Sequence, residues 1–342
     1  MKGEKNKNTN SWKGIGLSIA LGGMAYGIKQ VSQLPFLDTL VLAMLFGIIL
    51  KAILGTENFP GELNAASRIL IPFGIVFYAM KNANVAKWHN IGGQEILLVS
   101  LTMGTYFCIV FFLGKRFKLS KESIALLATG SAICGASAIA ITAPAVKAKS
   151  KDVSLALLAT TLAAFVGVYL FFPFFAILLQ MDNSLYASLA GAVVQFTGFV
   201  KVAVYNVPTL PQTIPSQDTL DLALNLKGIR YFGLLLAIPL FGSWIKSKSH
   251  FLLVLGLFLA GSVLGSTLSL WTPTFHQNTL QPILKPLYSF SWAIALASIG
   301  LSVDIKEVFN SEGLHGLLIA FVGFLTATFV FLTAAYLFRL LL

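Results

Sequence analysis

Ser123–Ala148 reads SIALLATGSAICGASAIAITAPAVKA, and its composition decides the class of this chain. The stretch is apolar and long enough to cross a bilayer, for which about 20 residues suffice. Its middle is unlike an ordinary span. Gly130, Ser131, Cys134, Gly135, Ala136, Ser137 and Ala138 are small, and Pro144 follows. Small residues let backbones approach closely, and glycine lets a helix break. A broken helix is tolerated in a membrane only where protein buries it or where it lines a wet cavity. Transporters hold substrate at such breaks, because half-helix ends carry partial charge and unpaired backbone groups. The plainer reading of the same residues is close helix packing.

The remainder of the chain supports a membrane protein. Of 342 residues, 56% are hydrophobic and 11% charged, and the mean hydropathy is +0.82. A soluble domain usually carries about 25% charged residues. About eleven apolar segments lie near 14–29, 36–54, 66–80, 95–114, 123–146, 153–179, 184–205, 228–245, 251–271, 285–303 and 313–341. Lysines precede the first, but no small-residue cleavage site follows it, so it reads as a span. Trp12, Trp88, Trp244 and Trp271 sit at or near segment ends, as interfacial aromatics do. Trp292 falls inside the tenth segment. The net charge of +11 suits loops against anionic headgroups. The basic residues form short clusters between apolar segments, which does not suggest nucleic acid. Cys108 and Cys134 lie in apolar segments and give neither a disulfide framework nor metal-ligand spacing.

LDTLVLAMLFG from Leu37 and MDNSLYASLAG from Met181 align at an offset of 144, matching Asp38, Ala43, Leu45 and Gly47 to Asp182, Ala187, Leu189 and Gly191. The third and fourth segments find weaker counterparts in the eighth and ninth. This order predicts an extra first span in residues 1–35, a five-span repeat over 36–179 and an inverted five-span repeat over 180–342. Segment ten, LYSFSWAIALASIGLSVD from Leu287 to Asp304, is then the counterpart of segment five. Its Ser289, Ser291, Ser298 and Gly300 predict a second break, crossing the first near mid-membrane.

GSAICGASAIA with its following proline and lysines resembles the bacterial sulfate exporter family of the YeiH type. So do PFGIVFYAMK at Pro72–Lys81, LKGIRYFGLLLAIP at Leu226–Pro239 and IGLSVDIK at Ile299–Lys306. The family's name is a functional guess. The resemblance implies the fold of the bile acid–sodium symporters, with core and panel domains, in a multi-pass protein of the bacterial inner membrane. It also implies a His-Glu pair in segment seven, where this chain has Gln195 and Phe196.

The acidic residues fall at segment ends or in loops, which weakens a carboxylate cation site or proton relay. Helix N-termini bind anions without a full positive charge. These features point to a secondary transporter of a small anion, such as sulfate or an organic sulfonate or carboxylate. The expected lining is Thr129, Ser131, Cys134, Gly135, Ser137, Gln195, Ser298, Gly300 and Ser302. Residues of these types are more often packing between helices than ligands. Lys201 reads as a snorkelling lysine or an anion partner. Lys227 and Arg230 share a helix face and read as interfacial anchors or an anion-attracting pair. The alternative is a carrier of an organic or sulfur-containing solute coupled to Na+ or H+. No HExxH, GxSxG or Cys/His cluster suggests an enzyme. No cofactor or metal is expected. The bilayer and a small-molecule anion are the expected partners, and a homo-oligomer is left open. Lysines and arginines divide too evenly between alternate loops to orient the chain.

Overall fold

The computed structural model describes residues 11–32, 34, 37–54, 60–83, 92–205, 217–303, 306 and 310–341. Trp88, Asp304 and the side chain of Trp12 lie outside them. All regular structure among the described residues is helical. The helices are α1 (Ser11–Ser32), α2 (Thr39–Leu54), α3 (Pro60–Asn82), α4 (Gly93–Arg116), α5 (Lys121–Thr129), α6 (Ala136–Ala145), α7 (Ser150–Val166), α8 (Phe172–Leu178), α9 (Asn183–Val193), α10 (Thr197–Tyr205), α11 (Gln217–Arg230), α12 (Gly233–Trp244), α13 (Lys248–Trp271), α14 (Pro273–Phe275), α15 (Gln281–Leu301) and α16 (Ser311–Leu341). Among the described residues, six helical stretches are long and apolar enough to cross a membrane: Gly93–Arg116, Ser150–Leu178, Asp218–Trp244, His250–Trp271, Pro273–Leu301 and Ser311–Phe338.

The helices form two packed groups. In one, α15 lies between α1, α2 and α3, and α13 packs along α3. Small residues set these contacts. A Cβ on Gly22 would meet the backbone of Ile294, one on Gly47 would meet Ala297, and one on Gly261 would meet Val76. The Trp292 indole fills the space beside Gly74 and donates to Ile71 O at 3.1 Å. In the other group, α4 and α7 pack on α16, and α9 packs on α11. Gly167 gives room to the Phe324 ring.

Segment five does not run through the bundle. It turns back at Gly135, whose φ of +65° and ψ of −125° are accessible essentially to glycine alone. Gly130, in a π-type turn that ends the first arm, would place a Cβ 2.7 Å from Ile139 on the second. The base of the hairpin is tied at one end of the bundle. Asp152 in the first turn of α7 accepts from Ser120 Oγ at 2.9 Å, Ser123 Oγ at 2.7 Å and Lys149 N at 3.0 Å. The start of α5 therefore lies beside the start of α7, and α5–α6 enters and leaves at the same end.

Segment seven is the second interrupted element. Helix α9 stops at Val193, Val194 is extended at φ −69° and ψ 132°, and α10 starts at Thr197. Lys201 on α10 lies within electrostatic range of Lys29 near the end of α1, as does Lys285 near the start of α15. The α10 arm thus returns toward the end of the bundle opposite the base of the first hairpin.

Segment ten corrects the expectation of a break. Helix α15 is continuous from Gln281 to Leu301. Its serines bond to their own helix, Ser298 Oγ to Ala295 O at 3.0 Å and Ser302 Oγ to Ser298 O at 2.9 Å. Gly300 is small because α2 passes against it at Met44 and Gly47. Here close packing accounts for the small residues.

Candidate functional site

The tips of the two hairpins meet. A Cβ on Gly135 would lie 2.8 Å from the Phe196 ring, so the first tip sits directly on the second. Ending two helices here strands carbonyl groups at both ends, since the last carbonyls of a helix have no partner within it. Two side chains from α11 satisfy them. Lys227 Nζ donates to Ile133 O at 2.8 Å, Val194 O at 2.7 Å and Gln195 O at 2.5 Å. Arg230 donates from Nε to Ala132 O at 2.8 Å, from Nη1 to Val194 O at 2.7 Å and from Nη2 to Ser131 O at 2.9 Å. Both side chains are 0% exposed. Buried and engaged in holding the two tips together, they are not interfacial anchors. Their spacing of three residues matters for the expected reason, since it aims both at one place.

Segment eight was expected to begin at residue 228. The helix begins at Gln217, which puts Lys227 and Arg230 in the middle of the long stretch Asp218–Trp244. Polar residues at Asp218, Asp221 and Asn225 depress hydropathy there and conceal the first three turns.

The expected lining residues divide into three sets. Ser131, Cys134, Gly135, Ser137 and Gln195 lie at the tips. The Ser131 hydroxyl and Gln195 Oε1 are buried without a hydrogen-bond partner. Gln195 Nε2 donates to Tyr106 Oη at 3.1 Å, and that hydroxyl donates to Val193 O at 3.0 Å. Ser137 is half-buried in the first turn of α6. Thr129 lies one turn back and spends its hydroxyl on Ala125 O at 2.9 Å. Ser298, Gly300 and Ser302 belong to α15 and its end, with Gly300 against Met44 of α2. Lys201 is exposed.

Sequence reasoning missed the tyrosines. Tyr78 of α3 donates to Cys134 Sγ at 3.1 Å. Its ring meets Tyr231 at 5.8 Å, Tyr288 at 5.3 Å and Trp292 at 5.2 Å between centroids. Thr197 Oγ1 and the Tyr231 hydroxyl are 3.2 Å apart. This cluster joins the two helix groups over the first tip. A tyrosine amid apolar residues needs a partner for its hydroxyl, and that was the available signal at Tyr78 and Tyr106.

A cavity of about 870 Å³ opens where α6 ends and α13 begins, and Lys147, Lys149, His250, Ser67 and Ser150 are among its lining residues. Among the described residues, no group of three or more His, Cys, Asp or Glu side chains could hold a metal ion.

Residues 13–320 match the family model described as "Conserved hypothetical protein 698". A UPF0324 membrane protein of Archaeoglobus fulgidus is 29% identical over 307 residues, covering 90% of this chain and 87% of that protein. One from Oceanobacillus iheyensis is 25% identical over 323 residues, covering 91% and 90%. One from Bacillus cereus is 33% identical over 159 residues, covering 44% and 45%. No solved structure matches the chain. With most of its length matched by the family model, and with relatives that are membrane proteins, this chain belongs to the conserved hypothetical protein 698 family.

Proposed function

We propose that this protein is a secondary carrier of a small anion in the bacterial cell membrane, with the anion bound where the two hairpin tips meet. In this reading the hairpins are re-entrant from opposite faces. Residues 121–178 and 183–244, each a hairpin followed by a long helix, are the inverted pair. The remaining segments cross the bilayer and complete the eleven.

One observation carries the reading: two buried cations, Lys227 and Arg230, converge where the two hairpin tips meet. A helix end behaves as roughly half an elementary charge. The C-terminal ends of α5 with its π turn and of α9 contribute about −1 together, and the N-terminal ends of α6 and α10 about +1. Lys227 and Arg230 add two full positive charges, which leaves about +2 at the tips. The buried Asp152 sits at the hairpin base and not at the tip. A small anion balances this charge, and the first-turn amides of α6 and α10 supply donors for its oxygens. Lys147, Lys149 and His250 around the cavity at one end, and Lys29, Lys201 and Lys285 at the other, favour the approach of anions from either face.

The test is flux of labelled sulfate, an alkyl sulfonate and a small carboxylate into proteoliposomes holding the full chain. Ser137→Leu places bulk in the first turn of α6 without adding charge, and it abolishes flux in this reading. Equal flux for the parent and Ser137→Leu rejects the site. Movement of a neutral solute or a cation with no anion flux rejects the anion.

A further inference from the structure

We infer that Lys227 is a built-in cation occupying the place where a coupling sodium ion would sit, so that the anion moves without sodium. This rests on the carrier reading above and concerns what drives it. Carbonyls freed at the ends of interrupted helices are the groups with which carriers commonly hold sodium. Here such carbonyls come from both hairpin tips, Ile133 from the first and Val194 and Gln195 from the second, and they converge on one nitrogen at 2.5–2.8 Å.

An ammonium has three donors, and all three are used. None is left to reach a substrate, so Lys227 acts on an anion through its field and by holding the tips. Arg230 shares Val194 O with it and takes the neighbouring carbonyls of Ser131 and Ala132. A mobile cation arriving here would find the carbonyls taken and two fixed positive charges beside it. The lysine is tethered by α11 and cannot leave with the substrate. A sodium gradient therefore has nothing to act on at this place.

Two measurements on the purified full chain test this. The first is labelled sulfate flux in proteoliposomes under an inward sodium gradient, compared with equal potassium or choline. Flux is expected to agree within about twofold, whereas a linked sodium ion would raise it by about fivefold or more and overturn the inference. The second is the thermal midpoint in detergent, with sodium chloride against choline chloride at equal ionic strength. The parent and Lys227→Met, which fills the space without charge, are expected to show the same midpoint in both salts. Lys227→Ala vacates the carbonyls and gains a midpoint that rises with sodium, because a ligand that binds only the folded state stabilises it.

A sodium-dependent midpoint in the parent, or none in folded Lys227→Ala, overturns the inference. Should Lys227→Ala fail to fold, the parent alone decides. Absence of sulfate flux under every salt, with the expected midpoints, rejects the sulfate carrier and leaves the role of Lys227 standing.

Discussion

Gly135→Ala isolates the hairpin turn from everything else in the bundle. Two costs follow from the geometry. Alanine must adopt φ +65° and ψ −125°, and its Cβ must be placed 2.8 Å from the Phe196 ring. Backbone strain of this kind costs about 1–3 kcal/mol, and overpacking of a filled core a further 1–3 or so. The sum is about 2–6 kcal/mol, and at roughly 2 °C per kcal/mol for a long chain the midpoint falls by about 4 °C or more. Thermal unfolding followed by tryptophan fluorescence in detergent measures it. Gly16→Ala is the matched control, since nothing lies within 4 Å of a Cβ there. Phe196→Ala alone truncates a buried ring and costs about 3–5 kcal/mol, so the overpacking share, about 1–3 kcal/mol, is read as the coupling energy of a double-mutant cycle between the two substitutions. A Gly135→Ala midpoint within about 1 °C of the parent would refute both the turn geometry and its contact with the second tip.

Arg230→Met strands the carbonyls of Ser131 and Ala132, and lowers stability by about 2–6 kcal/mol at roughly 1–3 per unpaired group, read from the same melts. Asp152→Ala removes the acceptor of three hydrogen bonds at the hairpin base and costs about 2–4 kcal/mol. Gly300→Val destabilises strongly, since its Cβ would collide with Met44 O. On the carrier proposal, Lys201→Gln, an exposed substitution, keeps anion flux in proteoliposomes within about twofold.

The first turn was legible because it needs glycine, and glycine is visible in a sequence. The second was not, because Val194 bends the chain through an extended conformation that any residue adopts. Segment ten carried serines and a glycine for a different reason, close contact with α2, so composition pointed to the wrong partner for the break. The Asp38–Asp182 match has a local cause as well. Asp38 accepts from Leu40 N at 2.9 Å and Asp182 from Leu185 N at 2.7 Å, so each caps the helix it precedes. Residues that serve one turn of helix are readable in isolation. Lys227 and Arg230 were not, because their partners lie 32 to 99 residues away.

The clamp also sets an order of manufacture. A lysine or arginine at the centre of an inserting helix costs about 2.5–3.5 kcal/mol, so the stretch Asp218–Trp244 carries a penalty of about 5–7 before it finds partners. Those partners, the carbonyls of Ser131 to Gln195, leave the ribosome earlier. Helix α11 therefore arrives as a key to a lock already in the bilayer. A ribosome that stalls before residue 217 leaves the carbonyls of Ser131, Ala132, Ile133, Val194 and Gln195 without the two side chains that satisfy them.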